Sequence, residues 1–121
     1  MRRRSLKGQK HDRDVAAVRS SYAKLFPICQ SPWCRRLATD IHEIARGSHR
    51  QAALGERCCL LHLCRACHDE MDDYSVWPIA RQLAMKLLGD PEGYDRVRVN
   101  LIRGRAAEAI TQDEVDQYCV G

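Results

Sequence analysis

Two cysteine pairs constrain this chain more than anything else in it: Cys29-Gln-Ser-Pro-Trp-Cys34 and Cys64-Arg-Ala-Cys67. The first closes a loop rich in turn formers, as a metal knuckle requires. A Cys-x-x-Cys pair alone serves equally well as a redox couple. Paired with a second knuckle about 30 residues away, it offers four thiolates, the number and softness that tetrahedral zinc prefers. One structural Zn²⁺ bound by Cys29, Cys34, Cys64 and Cys67 is therefore expected. Such a site contributes folding energy directly, which a chain of 121 residues, long enough for one domain with a modest core, can use.

The other three cysteines read as packing residues. Cys58 and Cys59 fall in a short apolar run, where either could substitute for a ligand, and Cys119 falls in a terminal helix. The odd total of seven argues against a disulfide framework. The start, MRRRSLKGQKHDRD, is basic and lacks the apolar stretch of a secretion signal. No run of about 18 apolar residues is present to span a bilayer. A soluble, cytoplasmic protein without membrane contact is the expectation.

Charge is distributed unevenly. Up to Arg36 there are ten basic and two acidic side chains, net +8, and beyond it ten basic and fourteen acidic, net −4. A basic arm on a mildly acidic domain suggests a polyanionic partner, because phosphate contacts release condensed counterions.

The chain divides into a basic flexible arm over 1–12, a zinc-stapled core over 13–74 and a helical extension over 75–121. Val15, Val18, Tyr22 and Leu25 recur at helical spacing, so a helix is predicted from about Asp14 to just before Pro27. Strands are predicted over 38–44 and 58–63, separated by a loop with at most a helical turn at 51–54. A helix over 65–73 carries Cys67 and His68. Ser75 can cap a helix over 76–88, with Ile79, Leu83 and Leu87 on one stripe. Asp90 and Pro91 read as the start of a helix running to Arg103. Thr111-Gln-Asp-Glu114 matches a capping box before a last helix over 112–119.

Between the knuckles lies Thr39-Asp-Ile-His-Glu-Ile44, and the second knuckle ends in Leu63-Cys64-Arg-Ala-Cys67-His68. A strand with an acid/His motif, a loop, a strand ending in L-C-x-x-C-H and a short helix together resemble the HNH nucleases, the ββα-metal class. The resemblance covers residues 29 to about 71. It implies an α+β fold, a ββα-metal core flanked by an N-terminal helix and C-terminal helices. The activity it implies is metal-dependent hydrolysis of DNA phosphodiesters, with Mg²⁺ or another divalent ion beside the structural zinc. Several small members of the family are phage-encoded, which would place the protein in a bacterial host's cytoplasm, beside a packaging or recombination protein.

Two registers are open within that resemblance. In one, His42 and His68 hold the catalytic ion and Glu43 occupies the base position. In the other, His42 is the base and Asp40 and His68 are ligands. Strand alternation puts Asp40 and His42 on one face and Glu43 on the other, favouring the second unless the strand bends. The family's asparagine, five residues before the second knuckle, is here Cys59. His49 is the candidate to compensate, or to meet phosphate with Arg46 and Arg50. Arg2, Arg3, Arg4, Arg35 and Arg36 are the remaining candidates for gripping the DNA backbone. The acidic cluster Asp69, Glu70, Asp72 and Asp73 reads as a solvated helix face pointing away from DNA, and His62 as a structural residue of an apolar strand.

Overall fold

The computed structural model describes residues 5–45, 50–104 and 107–119. It is mixed α+β, with six helices and a two-stranded sheet among the described residues. In chain order these are α1 (Leu6–Leu25), β1 (Asp40–Glu43), α2 (Arg50–Ala53), β2 (Leu60–Leu63), α3 (Arg65–Met71), α4 (Ile79–Gly89), α5 (Arg96–Arg103) and α6 (Gln112–Cys119). No described helix is long and apolar enough to cross a membrane.

The first helix begins inside the expected flexible arm. Ser5 caps it, its side chain accepting from the Gly8 amide at 3.1 Å. Leu6, Lys7, Gln9 and Lys10 then extend it on intrinsic propensity, with Lys10 pairing Asp14 one turn later. Only Tyr22 of α1 is fully buried, so capping and propensity, rather than packing, carry its first half.

The two strands pair antiparallel in the register Asp40↔Leu63, Ile41↔His62, His42↔Leu61 and Glu43↔Leu60. The expected second strand is shorter than the apolar run, because Arg57–Cys59 form a 3₁₀ turn that leads into β2. Gln30 extends the pairing beyond the sheet: its amide donates to His62 O at 2.9 Å. The first knuckle is thereby tied to β2. Cys29 N to Arg36 O and Ala38 N to Pro27 O fold the knuckle into a small hairpin.

Most of the buried apolar residues among those described form one cluster that runs through the proposed boundary at position 75. Ile44, Leu61 and Leu63 of the sheet region share it with Trp77, Leu83, Met85, Val99 and Val115 of the C-terminal part. The helix α4 starts at Ile79, three residues later than the Ser75 cap suggests, because Ser75 donates to Asp73 and its amide does the same, closing a local turn. It is buried nearly all round at Ala80 and from Gln82 to Lys86, rather than along the Ile79, Leu83, Leu87 stripe alone.

Lys86 is completely buried and spends all three ammonium protons: on Leu60 O (2.8 Å), Tyr22 Oη (3.0 Å) and Asp90 Oδ2 (2.7 Å). Burial pushes it down to about 8 against the pull of Asp90. Asp90 is thus a core residue, held also by Arg57 at 2.7 and 3.1 Å, and it does not cap a helix starting at Pro91. That role falls to Asp95, which accepts from the Arg98 amide ahead of α5. The last helix follows its capping box, with Glu114 N to Thr111 Oγ1 at 3.2 Å and Thr111 N to Glu114 Oε1 at 3.3 Å.

Candidate functional site

Four sulfurs converge where the two knuckles meet. The Sγ atoms of Cys29, Cys34, Cys64 and Cys67 all lie within 4.8 Å of one another, with Cys34 and Cys64 at 3.8 Å. A tetrahedron with Zn–S bonds of about 2.3 Å spaces its sulfurs by about 3.8 Å, the Cys34–Cys64 separation, so this cage could hold a metal such as zinc. Cys64 is the N-cap of α3, and the Cys67 amide pulls its thiol down to about 7. Burial pushes Cys29 up and Cys67 up to about 12. A dication at the centre is what allows buried sulfurs to ionise together. The buried Ser31 hydroxyl, without a hydrogen-bond partner among the described residues, lowers the Cys67 thiol, as an outer-shell donor to such a cage would.

One residue past the cage, α3 places His68 beside β1. The imidazoles of His42 and His68 meet edge to face, centroids 5.3 Å apart. Asp72, one turn beyond His68, brings Oδ1 to 3.6 Å from His42 Nδ1 and 3.8 Å from His68 Nε2. Those three groups form a second cluster that can hold a metal. Ligand bonds of about 2.1 Å space neighbouring donors by about 3.0–3.4 Å, so the two distances to Asp72 need only shorten by a few tenths of an ångström around an ion. Two histidines and one carboxylate leave coordination positions open, as reactive metal sites require.

The nitrogens facing away from Asp72 are both engaged. His68 Nδ1 meets Asp40 Oδ2 at 3.0 Å, and His42 Nε2 meets Gln82 Oε1 at 2.7 Å. Hydrogen bonds from His68 and then Thr39 hold Asp40 below the usual carboxylate range. Burial pushes His42 down, favouring the neutral ring. Asp72 stays 59% exposed, and the cluster opens to solvent on that side.

Asp40 thus stands behind His68, where it also accepts from Arg65, and lies outside the three-donor cluster. Glu43 points to the opposite side of the sheet, as strand alternation predicts, and accepts from Arg19 at 2.9 Å while 7% exposed. The expectation that the whole acidic cluster points away fails at Asp72, because a helix returns to the same face after four residues. Its neighbours do face elsewhere: Asp69 pairs with Arg65, and Asp73 caps the turn at Ser75. Cys59, at the asparagine position, is buried against Cys58. His62 Nδ1 is taken by Phe26 O at 2.6 Å.

Among the phosphate-gripping candidates, Arg35 and Arg36 are exposed on the first knuckle. Arg2, Arg3, Arg4, Arg46 and His49 lie outside the described residues, as does the side chain of Arg50. Sequence reasoning missed Asp72 and Gln82. The i, i+4 spacing of His68 and Asp72 was a usable signal. Gln82 gave none beyond being the lone amide of its helix, next to Arg81.

Comparison of the chain with protein-family models, with curated proteins and with solved structures finds no match to any of the three.

Proposed function

We propose that the chain is a metal-dependent DNA endonuclease of the HNH type, built on a ββα-metal core. The observation that carries this reading is the convergence of His42 Nδ1, His68 Nε2 and Asp72 Oδ1 one residue beyond a four-cysteine cage. Hydrolysing a phosphodiester needs charge stabilisation at the phosphate and a proton acceptor for water. A divalent ion such as Mg²⁺ would supply the first, held by His68 Nε2 and Asp72 Oδ1, with His42 Nδ1 serving either as a third ligand or as the proton acceptor.

The protein residues supply the rest. Neutral His42 offers a lone pair, Asp40 braces His68 from behind, and the exposed Asp72 side admits the phosphodiester backbone. Both registers of the acid/His motif impose one requirement: whether His42 Nδ1 holds the ion or takes a proton from water, it must be unprotonated. Arg35 and Arg36 sit on the knuckle, where they can grip phosphates. Nearby, the exposed Trp33 indole, braced on Trp77 at 5.5 Å, can meet a base. The setting we propose is small-phage DNA processing, beside a packaging or recombination protein.

Zinc-loaded protein incubated with supercoiled plasmid and Mg²⁺ or Mn²⁺ tests the reading. The wild type is expected to nick or linearise the plasmid, and His68→Ala to lose about 10²–10⁴-fold in rate. Intact plasmid with every divalent ion tried, alongside normal DNA binding, would instead identify a non-catalytic zinc module that binds nucleic acid.

A further inference from the structure

Among the described residues, the side chain by which the C-terminal part of the chain hydrogen-bonds the metal-binding cluster is that of Gln82. Gln82 of α4 is fully buried, 0% exposed, between α3, the turn before α4 and β1. Its amide nitrogen donates to Trp77 O at 2.8 Å and to Met71 O at 3.4 Å. A primary amide has two N–H donors and one carbonyl acceptor. Main-chain carbonyls only accept, so turning the amide over would set its oxygen against two others. The orientation is therefore fixed, and the oxygen faces His42 Nε2 at 2.7 Å.

That oxygen also only accepts. Nε2 of His42 must then carry the ring proton, which in a neutral imidazole leaves Nδ1 bare. Nδ1 is the nitrogen that faces Asp72. We propose that Gln82 is a positioning residue that locks His42 in the Nε2–H tautomer and so presents the Nδ1 lone pair to the metal-binding cluster. His68 is set in the complementary way by Asp40, whose carboxylate accepts at Nδ1 and leaves Nε2 facing Asp72. The two rings thus use opposite nitrogens, each chosen by an acceptor behind it. A thiol at position 59 cannot offer a carbonyl to His42, and Gln82 of α4 supplies one.

The purpose assigned to this tautomer rests on the nuclease reading, but the tautomer can be measured without cleavage. Nitrogen-15 chemical shifts of the His42 ring, in zinc-loaded protein without a second ion, should show Nε2 protonated and Nδ1 bare. In Gln82→Met the preference should be lost, and Mn²⁺ affinity at the second site should fall about 10–100-fold. Zinc content and thermal unfolding, measured in parallel, report whether the fold survives.

A wild-type His42 protonated at Nδ1 overturns the proposal, and so does a folded Gln82→Met with unchanged tautomer and unchanged Mn²⁺ affinity. Should Gln82→Met fail to fold, the wild-type spectrum decides alone. A protein that cuts no DNA but shows the tautomer and its response to substitution would sink the nuclease reading and leave this one standing.

Discussion

His68 lies between two carboxylates with different work to do. Asp40 braces it from behind, and Asp72 shares the bare side of its ring. Removing the brace should cost less than removing the ligand. Asp40→Asn is expected to slow plasmid cleavage by about 10–100-fold through a loosened, less basic ring. Asp72→Asn should reduce Mn²⁺ binding to the second site more severely than Asp40→Asn, as read by titration calorimetry. Glu43→Gln separates the two registers of the motif: cleavage within about threefold of wild type is expected, because that carboxylate faces Arg19 across the sheet. A folded Glu43→Gln variant with no cleavage would restore Glu43 as the base. At this scale the sequence made the residue types legible, and their roles less so. Strand period 2 correctly put Glu43 opposite His42, and a specific motif singled out His68. Asp72 sits in a run of acidic residues, and only its i, i+4 spacing from His68 marks it as the one that returns to that face.

At the scale of elements, capping chemistry is the most legible feature. Thr111 and Glu114 form the reciprocal bonds that their spacing implies, and Thr111→Ala is expected to cost about 1 kcal/mol, measured by urea denaturation. Asp90 carries the same side-chain chemistry and misleads, since its carboxylate is used by Lys86, Arg57 and the Gly93 amide deep in the fold. No local pattern distinguishes a carboxylate that caps a helix from one that neutralises a buried ammonium four residues earlier. The helix α4 shows the same limit. Its apolar periodicity promised a packing helix, which it is, but Gln82 and Lys86 also share one face of it at i, i+4. Gln82 reaches β1, and Lys86 reaches β2. Tertiary partners assign those roles, and such partners are invisible to a window of neighbouring residues.

For the whole molecule, stability should depend on the cysteine cage and on pH in separable ways. Metal analysis is expected to find one tightly held zinc per chain under reducing conditions, and a strong chelator should unfold the protein cooperatively. Asp90 contributes to the acid limb. Burial opposes its charge, yet the hydrogen bonds of Arg57 and Lys86 hold it below the ordinary value of 3.8. Between that value and the lower folded one the unfolded chain binds more protons, so the stability Asp90 contributes is complete above about pH 4 and is lost as pH falls further. Tyr22 also faces the group through Lys86, but it stays neutral across this range, burial raising it further. Acid also releases zinc from both proteins. The expected difference is therefore a shallower acid decline in Asp90→Asn, from a lower plateau, in denaturation curves collected across pH.

Cys67 and His68 are consecutive residues, so one peptide unit, with alpha carbons about 3.8 Å apart, joins the sulfur cage to the proposed cutting centre. A paramagnetic ion such as cobalt, exchanged into the cage, would act as a fixed beacon for that imidazole. The arrival of a second ion or a DNA strand could then be followed through it without attaching any label to the chain.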